Sequence, residues 1–462
     1  MLADRHDPIV AVATASGKGA IGVVRVSATG LLDLAQRLLG REPQARHATL
    51  MHLRDGADQP IDQVLMLWFP APHSYTGEDV LELQGHGGPW VMQRTMAHLM
   101  AVSQDMGRPM RLARPGEFTE RAFLNHKLDL AQAEAIADLI DASTEQAARS
   151  AARSLTSGLS HAVQGLRADL IHLRMWVEAS LDFPEEDIDF LQQSQALSKH
   201  QALVAQTQQL LVQARQGTLL REGIRLVILG QPNAGKSALL NALSGRERAI
   251  VTDVPGTTRD VLEESLSFKG VPVHLIDTAG LRQDTQDVVE QIGMQRTWEQ
   301  VDQADAIIWL RDASKAADPQ ALQADERITR QLQERLTRPI PTLEVWNKQD
   351  LVPSFKPAQG HLISAKQRKG LDELVDQVLH TVGWEAAQQE GVFMARERHV
   401  RALQQVQAHL AQAGEVLQDQ AMPLELLAEA LRQTQLALDG ITGTFTADDL
   451  LGEIFAGFCI GK

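Results

Sequence analysis

The segment GQPNAGKS at residues 230–237 decides how this chain is read. It follows the apolar run LVIL (226–229) and opens into ALLNAL (238–243), the order expected of a strand, a tight turn and a helix start. A polyphosphate needs backbone N–H groups turned inward with no side chains in the way, so glycines bracket the loop and a helix N-terminus completes the anion cradle. Gly235, with Asn233, Ala234 and Ala238 around it, supplies that cradle. Lys236 brings a positive charge to the β and γ phosphates, and Ser237 offers a hydroxyl to Mg²⁺.

Segments downstream select the nucleotide. Asp277-Thr278-Ala279-Gly280 closes the apolar run VHLI, where a carboxylate reaches the Mg²⁺ shell and a glycine N–H approaches the γ-phosphate. Asn347-Lys348-Gln349-Asp350 closes LEVW, and the Asp350 carboxylate can accept from both the N1–H and the 2-amino group of guanine. Adenine lacks that donor pair and would leave the carboxylate unpaired, so the implied nucleotide is GTP. Ser364-Ala365-Lys366, after HLI, completes the base pocket in the expected order. Between the phosphate loop and Asp277 lies TDVPGTT, with Thr252, Asp253, Val254, Pro255, Gly256, Thr257 and Thr258. Thr257 and Thr258 fall in the interval of a Mg²⁺-sensing switch, and Thr258 is the Mg²⁺ candidate beside Ser237.

Outward from this core the texture changes on both sides. The runs IRLVILG, VHLID, AIIWL and LEVWN alternate with amphipathic helical stretches, the mark of a doubly wound, mostly parallel sheet over residues 221–383. Before it, apolar positions at Leu155, Leu159, Val163, Leu166, Leu170, Leu173, Val177 and Leu181 step by threes and fours, one face of a long helix that should stop near Phe183-Pro184. Glu185, Glu186, Asp187 and Asp189 read as a solvated loop, and a further helix is expected around Leu203 to Arg215. After it, Leu403, Val406, Leu410 and Leu417 share a helix face. Neither helical flank looks self-sufficient, so the G domain reads as inserted into a discontinuous helical domain of residues 121–220 and 384–462. Residues 1–120 mix the short runs IVAVAT, GAIGVVRVS, VLMLWFPAP and DVLELQGHGG with turn signals, one compact α/β unit. The expected class is α+β, in several domains.

Bulk composition narrows the partners. Lys and Arg number 44 against 59 Asp and Glu, a net charge of −15 that pushes the protein away from nucleic acid and anionic lipid, so any RNA must meet a local basic patch. Arg108, Arg111, Arg114 and Arg121 are the candidates for it. Cys459 is the only cysteine, which excludes an intrachain disulfide and a thiolate-rich zinc site. With no leader-like start and no apolar run of about 18 residues, a soluble cytoplasmic protein without a membrane partner is expected.

The G motifs resemble the translation-factor-related GTPases that carry a hydrophobic residue after DxxG: Leu281 stands where Ras-like proteins hold a water-orienting glutamine. Hydrolysis must then be arranged by other groups. Four stretches outside the G motifs sharpen the resemblance: SYTGEDVLELQGHGGP (74–89), ARPGEFTERAFLNHKLDLAQAEAIADLIDA (113–142), GTLLREG (217–223) and the terminal DDLLGEIFAGFCIGK. With these the whole chain is similar to the bacterial MnmE (TrmE) family of tRNA wobble-uridine modification GTPases.

That resemblance implies a GTP hydrolase that works as a homodimer with the flavoprotein MnmG, in a heterotetramer. The pair would place an aminomethyl or carboxymethylaminomethyl group on C5 of U34 in certain tRNAs, using a tetrahydrofolate one-carbon donor in its 5-formyl or 5,10-methylene form. The N-terminal domain is implied to bind folate and dimerise. By motif, the folate site falls on Arg25, Glu82, Lys127 and Lys462. A K⁺ ion is implied where an arginine finger would act, with Asn233, Thr252, Val254 (through its carbonyl) and Thr257 as ligands. The water-orienting carboxylate maps to Glu290, ahead of Ile292-Gly293, with Asp287 the alternative because one extra residue separates Leu281 from that pair. Cys459 is either a nucleophile toward C6 of the uridine, favoured as thiolate by Lys462, or a small residue packed among Phe455, Phe458 and Ile460. From a different class, a ribosome-assembly or regulatory GTPase switch would share the G motifs; such factors carry a second G domain or a KH unit, and neither a basic GxxG module nor a second GxxxxGKS occurs here.

Overall fold

In a computed structural model, the described residues are 7–156, 158–182, 196–245, 263–277, 301–385, 391–418 and 423–443, with 454, 458 and 461. The chain divides into two compact units, Met1–Ala137 with Asp439–Lys462, and Asp138–Leu438.

In the first unit, β1 (Ile9–Val12), β2 (Gly22–Ala28), β3 (Thr49–Arg54), β4 (Pro60–Phe69), β5 (Asp79–Gly85) and β6 (Arg111–Leu112) form one six-stranded sheet in the order β3-β4-β5-β2-β1-β6. Only the β1–β6 pair is parallel; the other neighbours run antiparallel. Side chains alternate across a strand, and both faces here are covered. Val10, Val24, Val26 and Ala28 face one core, shared with Leu81 and Leu83 of β5 and Leu99 of the Pro89–Asp105 helix. Ile9 and Ala11 face the other, against Phe118 of the Glu117–Leu124 helix. The chain's end returns to this unit: Ile454 and Phe458 pack on Leu130 and Ala133.

In the second unit, β7 (Ile224–Gly230), β8 (Glu263–Phe268), β9 (Val271–Asp277), β10 (Ala306–Asp312), β11 (Thr342–Asn347) and β12 (His361–Leu362) form a sheet ordered β12-β11-β10-β7-β9-β8. Every pair is parallel except β8–β9. Ile224, Leu226 and Ile228 enter the core on one face, while Val227 and Leu229 enter the other. Burial on both faces turns β7 into a continuous apolar run instead of an alternating one. The strand order reverses at β7, with β10 on one side and β9 on the other, and ligands of open α/β sheets bind beyond the carboxyl ends at such a point.

Long helices flank this sheet in sequence: Glu145–Leu155, Gly158–Asp182 and Ala196–Glu222 before it, Glu397–Gln418 and Leu424–Thr442 after. The stripe expected as one helix from Leu155 to Leu181 is divided. Leu155 ends the first of these helices, and the Thr156 hydroxyl turns back on the Ala152 and Arg153 carbonyls. Leu159, Val163, Leu166, Leu170, Leu173 and Val177 are the buried face of the next. The four-residue step from Leu155 to Leu159 preserves the period across the break, so periodicity could not reveal it. The acidic run 185–189 lies outside the described residues.

The entry into the sheet and the exit from it run side by side. A β-carbon at Gly217 would fall on the Phe393 carbonyl and within 2.8 Å of Ala395 N. Ser150 and Ser154 donate to the carbonyls of Val392 and Met394 at 3.2 and 3.1 Å. The Asp138 carboxylate accepts from Arg221 just before the sheet (2.9 Å) and from Arg396 just after it (2.8 Å).

Candidate functional site

The turn after β7 is shaped for an anion. Asn233 (φ 65°) and Gly235 (φ 101°) both adopt left-handed backbone, and the Lys236–Ser244 helix starts directly behind them. Gly235 is required twice over: its φ disfavours an L side chain, and a β-carbon there would run into the Asn347 amide. The Lys236 ammonium donates to the carbonyls of Gly230 (2.8 Å) and Gln231 (3.1 Å), so it lies across the mouth of its own loop. Ser237 and Ala238 are exposed in the first helical turn.

Asn347 knits the segments together. Its side chain is 3% exposed, donates Nδ2 to the Ala234 carbonyl at 2.9 Å and accepts from Ala365 N at 3.0 Å. The phosphate loop, the end of β11 and the Ser364-Ala365-Lys366 segment are thereby held at one point. Lys348, with φ 68°, sends its ammonium to Asp312 Oδ2 at 2.6 Å. Burial would raise the Asp312 pKa, but the Lys348 and Ser314 hydrogen bonds outweigh it and keep the group below its ordinary range. Ser364 Oγ donates to Asp350 Oδ1 at 2.5 Å, and this bond holds the Asp350 carboxyl below the usual range. Asp350 is therefore ionised at neutral pH and keeps acceptor capacity for a two-donor base edge.

Asp277 ends β9 in register with Ile228, beside the phosphate loop's strand. Thr252, Asp253, Val254, Pro255, Gly256, Thr257, Thr258, Thr278, Ala279, Gly280, Asp287, Glu290, Cys459 and Lys462 lie outside the described residues. Sequence reading did not single out Asp312, the partner of Lys348; its place at the end of β10, level with the end of β11, was the available signal.

In the first unit, β2 and β5 set Arg25 opposite Glu82, and Arg25 Nε binds Glu82 Oε1 at 2.8 Å. The guanidinium stands 5.5 Å from the Tyr75 ring centre and 5.8 Å from that of Phe118, and also donates to the Gly461 carbonyl at 3.4 Å. Gly461 is thus brought to Arg25. Burial raises the Tyr75 pKa, and its hydroxyl lies 2.7 Å from that of Thr119. Lys127 is exposed and donates to the Pro72 carbonyl at 3.0 Å.

The proposed basic patch is corrected at Arg121. It is 3% exposed, donating to Glu78 at 2.8 Å, to Glu117 at 3.2 Å and to the Asp7 carbonyl at 2.7 Å. A guanidinium so enclosed cannot meet a phosphate. Arg111 is engaged too, gripping both Glu117 oxygens at 2.8 and 2.7 Å. Burial would raise the Glu117 pKa, but the Arg111 hydrogen bonds, the Arg114 N–H and the charges of Arg111 and Arg121 prevail and hold it at about 2. Arg108 and Arg114 remain exposed at the surface.

Comparison with known proteins agrees along the full length. The family described as "GTP-binding protein TrmE N-terminus" matches residues 8–127, and "MnmE helical domain" matches residues 130–459. A "tRNA modification GTPase MnmE" from a Polaromonas species is 55% identical, and one from an Acidovorax species is 53% identical, each alignment covering 100% of both chains. The Bordetella parapertussis protein of the same name is 52% identical over 99% of each chain.

Proposed function

The chain belongs to the MnmE family of tRNA modification GTPases, and from that premise we propose how it does its work: paired with a flavin-dependent MnmG protein in a heterotetramer, it installs an aminomethyl or carboxymethylaminomethyl group on C5 of tRNA U34. The observation that carries the reading is the Asn347 tie between phosphate loop and base loop, which builds a guanine-nucleotide cradle inside a chain related end to end to tRNA-modifying proteins. The cytoplasm is the proposed compartment; among the described residues no helix is long and apolar enough to cross a membrane.

Within that reading Lys236 and the loop N–H groups bind the phosphates, and Asp350 and Asn347 hold the base. Ser237, exposed at the helix start, suits Mg²⁺ together with Thr258. Asn233 presents its amide from a left-handed turn and suits K⁺, completed by Thr252, Val254 and Thr257. Glu290, or Asp287, orients the attacking water. The Arg25–Glu82 pair, bordered by two aromatic rings and the chain's end, offers a cation and a carboxylate to a folate's glutamate tail and pteridine donors. Lys127 and Lys462 are further cations for that tail, and the N-terminal units pair as the homodimer. When bound, the folate supplies the one-carbon unit. Cys459 acts as nucleophile or packs as a small apolar residue; a Cys459→Ser protein with full modification activity would leave the second role.

The test of the function is nucleoside analysis of tRNA from cells lacking this protein. U34 is expected to lose its C5 group, and normal modification would overturn the assignment. The cation reading has its own check: GTP hydrolysis is expected to be faster in K⁺ than in Na⁺ by about tenfold or more, as charge stabilisation of a transferring phosphoryl group requires. Equal rates in the two salts would remove Asn233 from a K⁺ site.

A further inference from the structure

Beside the phosphate loop lies a connected set of side chains outside the nucleotide contacts assigned above. The Gln231 amide donates to the Ala321 carbonyl and to Asp325 Oδ1, both at 2.6 Å, on the Pro319–Arg335 helix. The other oxygen of Asp325 accepts from Arg311 Nε at 2.8 Å. Arg311 also donates through Nη1 to Glu344 at 2.5 Å and stacks over the Trp346 ring, 4.0 Å from its centre. Trp346 is 8% exposed, fixed by its Nε1–H to the Gln359 carbonyl and by the Phe355 ring, and directly precedes Asn347. The path therefore runs Gln231, Asp325, Arg311, Trp346, from the second residue of the phosphate loop to the strand end that reads the base.

We propose that Arg311 and Asp325 are positioning residues for the guanine nucleotide, setting the separation of the phosphate loop and the base-reading strand and thereby its rate of release. Geometry argues for a relay and not for two independent braces. Asp325 divides its oxygens between Gln231 and Arg311, and both it and Arg311 are largely enclosed, at 14% and 18% side-chain exposure. Removing the guanidinium leaves a shielded carboxylate without its charge partner, and such a group swings toward water, releasing Gln231. Removing the Gln231 amide breaks the same path at its other end.

The inference rests on the nucleotide site described above, and the experiment separates the two. Release of N-methylanthraniloyl-GDP is followed for the full-length protein and its Arg311→Met, Gln231→Met and doubly substituted forms, with KM and kcat for GTP. Each single change is expected to speed release about tenfold and to raise KM, and Arg311→Met, outside the phosphate loop, to alter kcat less than about twofold, in keeping with lost positioning of a bound ligand. The double variant should release no faster than the faster single one, and Arg311→Lys, which keeps the charge but not the fork, should fall between. Release unchanged in both single variants, or two effects that add in full, would overturn the relay while leaving the site intact. Wild-type protein that holds no labelled GDP would overturn the site and the relay together.

Discussion

Asp350→Asn is expected to cost GTP affinity on the order of a hundredfold or more and to transfer preference to XTP. The carboxylate is acceptor-only and ionised, because the Ser364 hydroxyl bonds one oxygen and draws its pKa below the ordinary range. Guanine presents two donors to it. An asparagine presents one acceptor and one donor, which leaves a guanine donor facing an N–H, whereas xanthine replaces the 2-amino group by a carbonyl and accepts that N–H. Competition of XTP and GTP for hydrolysis is the measurement, and unchanged selectivity would refute the role. Because its pKa is already lowered by the Ser364 hydrogen bond, Asp350 stays ionised through neutral and mildly acidic pH, and base binding is expected to weaken only as pH falls below the usual carboxylate range.

The second large effect belongs to the buried charge cluster of the first unit. Glu117, 1% exposed, serves Arg111 through both oxygens, Arg121 at 3.2 Å and the Arg114 N–H at 2.8 Å. Glu117→Gln leaves those guanidinium groups facing a neutral amide, and breaking such a pair is expected to cost about 3 kcal/mol. The readout is amide hydrogen exchange in the full-length protein over residues 111–125, which should quicken by about a hundredfold at neutral pH. The pH dependence follows from the lowered pKa: the Glu117 contribution is complete above its ordinary value of 4.5 and is lost as pH falls toward about 2. The difference between wild type and variant should shrink over that same window. A gap that persists below pH 2 would assign the loss to packing instead of charge.

Local features are legible in the sequence. The phosphate loop, β7, β9, β10 and β11 were legible because a strand buried on both faces is an unbroken apolar run, and a cradle for phosphate demands glycine, lysine and serine at fixed spacing. β8 was not singled out, since EESLSF alternates polar and apolar residues at the antiparallel edge of its sheet. The relevant partners of charged groups escaped for another reason. Arg121 reads as one more surface arginine until folding joins it to Glu78, 43 residues away in sequence. Likewise Lys348 was legible as part of a base motif, but Asp312, which holds it, is 36 residues upstream. Spacing along a chain encodes helix faces and turns; it carries no direct record of which two strands lie side by side.

The adjacent entry and exit of the inserted sheet, with Gly217 against Phe393 and Ala395 and one Asp138 carboxylate joining Arg221 to Arg396, bear on how such a gene could arise. A helical host whose cut ends already touch presents a gap no wider than an ordinary loop. A whole nucleotide-binding module can be acquired, lost or exchanged at that one place without re-threading a single helix, because insertion is tolerated where the interrupted chain resumes beside the point at which it left. The same contacts that close the junction would let the host fold survive such a splice.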